Sequence, residues 1–209
     1  IKERLSKREL ERQIDSGYYE RYMLSQNPQS LALETAKKAT GNIFLDNYVL
    51  DFLDVPEPMS EHDLQKSIIR NLKDFILEIG KDFTFVGEEY RVQVGNHDFF
   101  IDLLFYHRGL SCLVAFELKI GEFKPEYVGQ INLYLEALDR EVKKENENPS
   151  VGIILCASKD DEVVEFALSR SLSPTMVAEY NLKLIDKKLL QKKLKEYIEL
   201  AKLTEDENA

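Results

Sequence analysis

The chain has 209 residues, of which 44% are hydrophobic and 32% charged, and its formal net charge is −10. This composition is typical of a globular protein with one sizeable domain and an appendage, or with two small domains. No apolar run is long enough to span a bilayer, so no membrane partner is expected. The negative charge argues against nucleic-acid binding but does not exclude it, because a bound metal and a local basic patch act at short range.

The N-terminus and the cysteines indicate the context of the chain. The sequence begins IKERLSKREL, which is neither a signal peptide nor a methionine start and favours a C-terminal fragment of a longer protein. Cys112 and Cys156 lie in the apolar runs SCLVAFEL and VGIILCAS. Two cysteines so placed predict buried, reduced thiols in a cytoplasmic protein.

The first eighty residues show mainly helical patterns. In chain order they predict a helix over 3–24, a mixed connector over 26–47, a short helix over 47–53 and a long helix from an N-cap at Ser60 to a stop at Gly80. We place a domain boundary near residues 45–60. Residues 1–45 are then the end of an N-terminal helical domain or a linker, and 46–209 form the main domain.

From Asp82 the hydrophobic period changes to two. The segments FTFVG, EYRVQVG, DFFIDLLFYH and SCLVAFELK predict four strands in an antiparallel meander. A helix from Pro125 through Leu138, a strand at VGIILCAS, a helix over 160–171, a strand at MVAEYNLKL and a helix over 187–203 follow. This order predicts a mixed α/β fold with a central sheet flanked by helices.

Two carboxylates lie in unusually apolar surroundings. Asp102 is the only charge in FFIDLLFY, and Glu117 is the only acid in CLVAFELKI. An unpaired carboxylate in such a setting is costly, so each requires a partner or a metal. For a single acid of this kind, a structural salt bridge would be the simpler explanation.

The turn between the two strands relates these carboxylates. A two-residue type II′ turn at Gly109-Leu110 would pair Arg108 with Ser111 and, counted inward, Asp102 with Glu117. Opposed residues share a sheet face with Cβ atoms about 5 Å apart, and Lys119 points the same way as Glu117. The opposite faces are apolar, with Ile101, Leu103 and Phe105 on one strand and Phe116, Leu118 and Ile120 on the other.

A divalent cation would relieve the repulsion between two carboxylates held this close. All-oxygen ligation suits Mg²⁺ or Mn²⁺, and the metal would lower the pKa of a bound water. Lys119 would orient that water or stabilise charge developing on a phosphorus centre. A diagonal ion pair between Asp102 and Lys119, with Glu117 as a second member, is the structural alternative, although it leaves the facing acids unexplained.

An aspartate on one strand followed by E-x-K on the next resembles the core signature of the PD-(D/E)XK nucleases. The runs YRVQVGNHDFFIDLLFYH and FELKIGEFKPEYVGQINLYL resemble the YhcG-type bacterial proteins, over about residues 60–183. The resemblance implies a restriction-endonuclease-like core and a metal-dependent phosphodiesterase acting on DNA, in restriction, recombination or repair. It carries Asp102, Glu117 and Lys119 over as the catalytic core. Endo- or exonuclease action and a homodimer stay open.

The resemblance also assigns residues on two helices. Gln130 and Tyr134 match a Q-x-x-x-Y motif, and their spacing places both on one helix face. Gln65 stands where similar sequences have glutamate, so a helix ligand to the metal would here be a neutral amide. Lys124 and Arg91 are candidates for contacts with the DNA backbone. Gln65 and the acidic charge favour the alternative function, a catalytically degenerate nuclease fold that binds nucleic acid or a protein partner.

Overall fold

A computed structural model describes residues 5–25, 43–80 and 82–206. Six strands form one mixed sheet in the order β1-β6-β5-β4-β3-β2. The strands are β1 Asn47–Val49, β2 Phe83–Val94, β3 His97–His107, β4 Cys112–Leu118, β5 Val151–Cys156 and β6 Thr175–Asn181. The helices are α1 Lys7–Asp15, α2 Tyr18–Ser25, α3 Glu61–Arg70, α4 Leu72–Ile79, α5 Glu126–Glu141, α6 Asp161–Leu168 and α7 Lys187–Asp206.

The sheet combines an antiparallel and a parallel half. Strands β2, β3 and β4 form an antiparallel meander, and β4, β5, β6 and β1 run parallel to their neighbours. Connections through α5 and α6 link the parallel strands, as such crossovers require. The predicted mixed α/β fold with a central sheet flanked by helices is therefore confirmed.

Two apolar layers cover the faces of the sheet. On one face α3 and α4 pack through residues such as Leu64 and Phe75. On the other, α5 and α6 pack through residues such as Ile131 and Val164. Gly152 on β5 permits the close approach of α5, because a Cβ there would lie 2.6 Å from Cγ1 of Ile131. The central strands β4 and β5 are buried along their whole length, as a sheet covered on both faces requires.

The short helix predicted over 47–53 is wrong. Asn47–Val49 is instead the edge strand β1, which pairs in parallel with Glu179–Asn181 of β6. Tyr48 and Val49 are fully buried there, and aromatic and β-branched residues suit a strand. Their spacing over so few residues does not distinguish helix from strand, so the long-range pairing with β6 decides.

The antiparallel meander has three strands rather than the four predicted. The segments FTFVG and EYRVQVG form one strand, β2. Its pairing with β3 shifts register between Phe85 and Gly87, so Gly87 belongs to a bulge and not to a turn. A bulge adds a residue and a bend without ending the strand, and glycine is common at such points.

Both long helices predicted in the first eighty residues are interrupted. Ser60 caps α3 with a capping box to Asp63, and Gly80 ends α4, as predicted. Between them Asn71 leaves the helical conformation, with φ −111° and ψ 30°. Nearer the N-terminus Gly17 separates α1 from α2 at φ +61°, a conformation that glycine adopts at little cost.

A buried ion pair joins α2 to α4, and the same glutamate contacts strand β1. Arg21 on α2 lies 2.6 Å from Oε1 of Glu78 on α4, with both side chains at least 97% buried. The same Glu78 oxygen accepts from the backbone N–H of Val49 at 2.7 Å. Charged groups this deeply buried depend on each other, so α2, α4 and β1 are held in one arrangement.

The remaining predictions concern the later helices, the cysteines and the connector. Helix α5 begins at Glu126 with Pro125 at its N-cap, α6 is capped by Asp160, and α7 follows β6. Cys112 and Cys156 are buried free thiols, as predicted. Residues 26–42 of the connector lie outside the described residues. Within the described ranges, no helix combines the length and apolarity that crossing a membrane would need.

Candidate active site

The β3–β4 hairpin has the predicted register but a different turn. The pairs from His107–Cys112 to Leu103–Phe116 follow the predicted count. The connection is a four-residue turn, however, because Gly109 does not have the positive φ of a type II′ turn and Ser111 has φ +51°. The N–H of Leu110 donates to Nδ1 of His107 at 3.0 Å. A four-residue loop centred on the same bond keeps the same register, so the count was right despite the wrong turn type.

The alternation of β3 breaks at Asp102. Ile101 packs in the apolar layer under α5, whereas Leu103 and Phe105 pack in the layer under α3 and α4. The prediction that these three residues share one face is therefore wrong. Across the ladder, Glu89 has φ +44° between the pairs Glu88–Leu103 and Tyr90–Ile101. The ladder between β3 and β4 ends at Leu103–Phe116, so the predicted pair Asp102–Glu117 lies one step beyond the paired residues.

The Asp102 side chain bonds to the backbone of β4. Its Oδ2 accepts from the N–H of Leu118 at 2.7 Å, just beyond the end of the ladder. Burial raises the pKa of Asp102, and the negative charges of Glu61 and Glu89 raise it further. The hydrogen bond from Leu118 and the charge of Lys119 lower it, but by less. The Leu118 bond fixes the carboxylate at the point where β3 and β4 separate.

Glu117 is the most deeply buried acid of the site. It is 2% exposed, and its Oε2 has no hydrogen-bond partner among the residues that the structure describes. Burial, together with the charge of Asp102, raises the pKa of Glu117 from 4.5 to about 7. The two acids lie close enough to repel, and one oxygen of Glu117 lacks the partner that a buried polar atom normally has.

Lys119 supplies the positive charge. Its Nζ lies 2.7 Å from Oε1 of Glu117 and 3.2 Å from Oε2 of Glu61. The ammonium also lies 5.1 Å from the ring centroid of Tyr127, within cation–π range. Burial disfavours the ammonium, but the contacts with Glu117 and Glu61 outweigh it and raise the pKa of Lys119. The ion pairs of Lys119 that the structure records are therefore with Glu117 and Glu61, whereas the structural alternative had Asp102 as its main partner.

Glu61 is a residue of the site that its sequence pattern did not single out. It is the first residue of α3, it contacts Lys119, and its charge contributes to the raised pKa of both Asp102 and Glu117 after burial. One signal in the sequence could have identified it. Glu61 lies four residues before Gln65, so both project from one side of the same helix.

Gln65 reaches the site through the backbone of β3. Its Nε2 donates to the carbonyl of Asp102 at 2.8 Å, and the residue is 4% exposed. The amide nitrogen is therefore committed to holding the Asp102 backbone against α3. The amide oxygen is the atom that Gln65 could offer to a metal.

Gln130 and Tyr134 share one face of α5, as predicted. Nε2 of Gln130 donates to the Tyr134 hydroxyl at 2.8 Å. Burial raises the pKa of Tyr134, and the charges of Glu117 and Asp102 add to this effect. The phenol thus lies on the α5 side of the sheet, close enough to interact electrostatically with both acids.

The two basic residues considered for backbone contacts lie apart from each other. Lys124 is exposed in the loop between β4 and α5. Arg91 is exposed on β2, where it pairs with Asp98 at 2.7 Å. Lys124 thus lies three residues before Tyr127, which contacts Lys119, whereas the recorded partners of Arg91 are Asp98 and Gln93 in the β2–β3 hairpin.

The donor set fits a hard divalent cation. Asp102 and Glu117 offer carboxylate oxygens, and the buried Oε2 of Glu117 is an acceptor for which the described part of the chain provides no donor. Such ligands suit Mg²⁺ or Mn²⁺. In the described ranges, no three His, Cys, Asp or Glu side chains are arranged to hold a metal ion as they stand. Lys119 already contacts Glu117, so the ammonium supplies the charge compensation in this arrangement.

A mixed sheet with an aspartate within one antiparallel strand and E-x-K at the end of the next has the features of the PD-(D/E)XK class of nuclease domains. The family model described as the YhcG PDDEXK nuclease domain matches residues 41–195, and the chain belongs to this family. It is 37% identical over 193 residues to the curated "Putative nuclease YhcG" of Escherichia coli (strain K12). That match covers 90% of this chain but 52% of the relative, so the chain spans about half of its length.

Similarity to solved structures is partial. A repair endonuclease from Pyrococcus abyssi is 19% identical with a TM-score of 0.40, covering 60% of this chain and 48% of that one. A complex of EndoMS with dsDNA is 19% identical with a TM-score of 0.39, covering 58% and 43%. The dsDNA in the second structure is a ligand of EndoMS.

Proposed function

We propose that this chain is a divalent-metal-dependent phosphodiesterase that cleaves DNA, with Asp102 and Glu117 as metal ligands and Lys119 as the catalytic cation. The observation that carries the proposal is the buried Oε2 of Glu117, which has no partner among the described residues and lies beside a second carboxylate. Buried acceptors are normally satisfied, and an unsatisfied one costs about 1–3 kcal/mol. A cation between the two acids would remove both this cost and their repulsion.

The residues of the site have separable roles in this proposal. Asp102 is held by the Leu118 N–H and, through its backbone, by Gln65, so its carboxylate is positioned before any ligand arrives. A bound Mg²⁺ or Mn²⁺ would supply electrophilic activation of water and of the phosphate. Lys119 would donate to a phosphate oxygen as negative charge develops on it, since a fixed cation in a water-poor site stabilises such charge strongly.

The surrounding side chains serve orientation and substrate binding. Gln130 fixes the Tyr134 hydroxyl at 2.8 Å, and the phenol lies in the field of both acids. We assign these two residues to positioning of the site, with Gln65 as a neutral donor to the metal through its amide oxygen. Lys124 and Arg91 are assigned to the DNA backbone. The net charge of −10 requires such contacts to be local.

A non-cutting module is the second candidate, and one contact favours it. Lys119 lies 2.7 Å from Glu117, so the site is partly neutralised without a metal. If that pair were permanent, the fold would keep the arrangement of a nuclease without its chemistry, and the domain would bind nucleic acid or protein only.

Cleavage and metal binding, measured on the same chain, separate the two functions. Labelled linear and supercoiled DNA would be incubated with the purified chain and Mg²⁺, Mn²⁺ or EDTA. Calorimetry with Mn²⁺ would report binding independently of turnover. We expect metal-dependent cleavage and heat in the wild type, and neither in Asp102→Asn. No metal-dependent heat in the wild type would refute the proposal, and heat without cleavage would favour the binding module.

A further inference from the structure

Glu61 brings a third carboxylate to the Asp102–Glu117 pair. Its Oε2 lies 3.2 Å from Nζ of Lys119. After burial, its charge contributes to the raised pKa of both Asp102 and Glu117, which places its field at both acids. The side chain is 46% exposed, so it can change rotamer at little cost.

The position of Lys119 marks a point where a cation is stabilised by two structural elements at once. The ammonium contacts Glu117 from β4 and Glu61 from α3. One ammonium nevertheless faces three carboxylates. Glu117 is 2% exposed and its Oε2 has no partner within the described ranges, which is an independent sign that the cluster lacks positive charge. A divalent ion would correct that deficit, and carboxylates on two sides would hold it.

We propose that Glu61 is a ligand of the metal site, so that α3 contributes a charged oxygen which Gln65, one turn later, cannot. This inference rests on the proposed function. Gln65 is committed through its nitrogen to the Asp102 carbonyl, whereas Glu61 contacts the ammonium of Lys119 and 46% of its side chain is exposed. With Glu61 bound to a metal, Lys119 would keep its contact with Glu117 and lose that with Glu61, so that its ammonium could also face a phosphate. Glu61 is therefore both a donor to the metal and the group that restrains Lys119 in the metal-free protein.

Calorimetric titration with Mn²⁺ tests the assignment. Wild type, Glu61→Gln and Glu162→Gln would be compared at pH 8. Glu162 lies in the first turn of α6, as Glu61 does in α3, so the control loses the same favourable interaction with a helix N-terminus. We expect Glu61→Gln to weaken Mn²⁺ binding by about tenfold or more and Glu162→Gln to leave it unchanged. The Tm without metal would verify that both variants fold.

A second comparison separates direct ligation from an effect through Lys119. The Glu61→Gln substitution would be repeated in a Lys119→Met background, and the two losses of affinity compared as a double-mutant cycle. A direct ligand loses at least as large a factor in the Lys119→Met background, because Glu61 no longer has to leave the ammonium to reach the metal. If the loss disappears in Lys119→Met, Glu61 only positions Lys119 and the ligand assignment is wrong.

The outcomes also distinguish this inference from the proposed function. If the wild type binds Mn²⁺ and Glu61→Gln binds it with equal affinity, the role of Glu61 is overturned and the nuclease proposal stands. Absence of heat in the wild type would overturn both. Weaker binding in Glu61→Gln in both backgrounds supports both.

Discussion

The ammonium of Lys119 lies 2.7 Å from Oε1 of Glu117, two positions earlier in the chain, and both residues are almost fully buried. This pair leaves the other oxygen of Glu117 without a partner among the residues that the structure describes, and it does not cancel the repulsion from Asp102. The site therefore forms without a metal but lowers the free energy of unfolding. This destabilisation can be measured without a substrate.

Glu117 should make stability depend on pH. Its folded-state pKa of about 7 lies above the ordinary 4.5, so between these values the folded protein keeps a proton that the unfolded chain releases. The free energy of unfolding should therefore fall as the pH rises through that window. Glu117→Gln should remove this slope and stabilise the metal-free protein at pH 8 by about 2 kcal/mol. Urea unfolding in EDTA at pH 5 and 8 measures it, and parallel pH profiles for the two proteins would contradict it.

The bond from Leu118 to Asp102 predicts different behaviour for two substitutions. Asp102→Asn keeps an acceptor oxygen for the Leu118 N–H, whereas Asp102→Ala leaves that donor without it. We expect Asn to be more stable than Ala by about 1 kcal/mol in EDTA, although both lose metal-dependent cleavage because the anionic ligand is gone. Thermal unfolding and a DNA cleavage assay on the same samples provide the comparison. Equal Tm values would show that the Leu118 bond does not stabilise the fold.

Gln65→Glu should lower the Tm in EDTA and enlarge the increase in Tm that Mn²⁺ produces. The substitution removes the donor to the Asp102 carbonyl and sets a carboxylate against that oxygen, so the Tm in EDTA should fall. If the amide oxygen of Gln65 faces the metal, the new charge should enlarge the stabilisation by Mn²⁺ beyond that of the wild type. Gln65→Met is the matched control, because it loses the same bond and adds no charge. An equal Mn²⁺ shift in the Glu and Met variants would remove Gln65 from the ligand set.

The buried Arg21–Glu78 pair predicts that α2 is required for the stability of the sheet domain. Arg21→Met should lower the free energy of unfolding by about 3 kcal/mol, because it removes the nearer arginine from the buried Glu78 and leaves Arg12 at 3.7 Å from the other carboxylate oxygen. Arg140→Met serves as the control. Arg140 pairs with Glu136 on the exposed side of α5, where such pairs contribute less than about 1 kcal/mol. Equal urea midpoints for the two variants would show that the N-terminal helices fold apart from the sheet.

The sequence by itself determined the elements whose patterns are local. The capping box at Ser60, the fully apolar strand β5 and the antiparallel meander each follow from residues close together in the chain. The β3–β4 register also followed, because any loop centred between Gly109 and Leu110 pairs the same residues. Asp102, Glu117 and Lys119 could be selected in advance because a charge in an apolar strand is costly wherever it lies.

The tertiary structure decided what depends on distant contacts. Residues Asn47–Val49 became a strand because β6 offered an edge to pair with, and no local pattern encodes that edge. Glu61 joined the site because α3 packs with its N-terminus over Lys119, at a separation of 58 residues. Gln65 turned its nitrogen to the Asp102 carbonyl for the same reason. A sequence shows which side chains need partners, but packing determines which partners lie within a few ångströms.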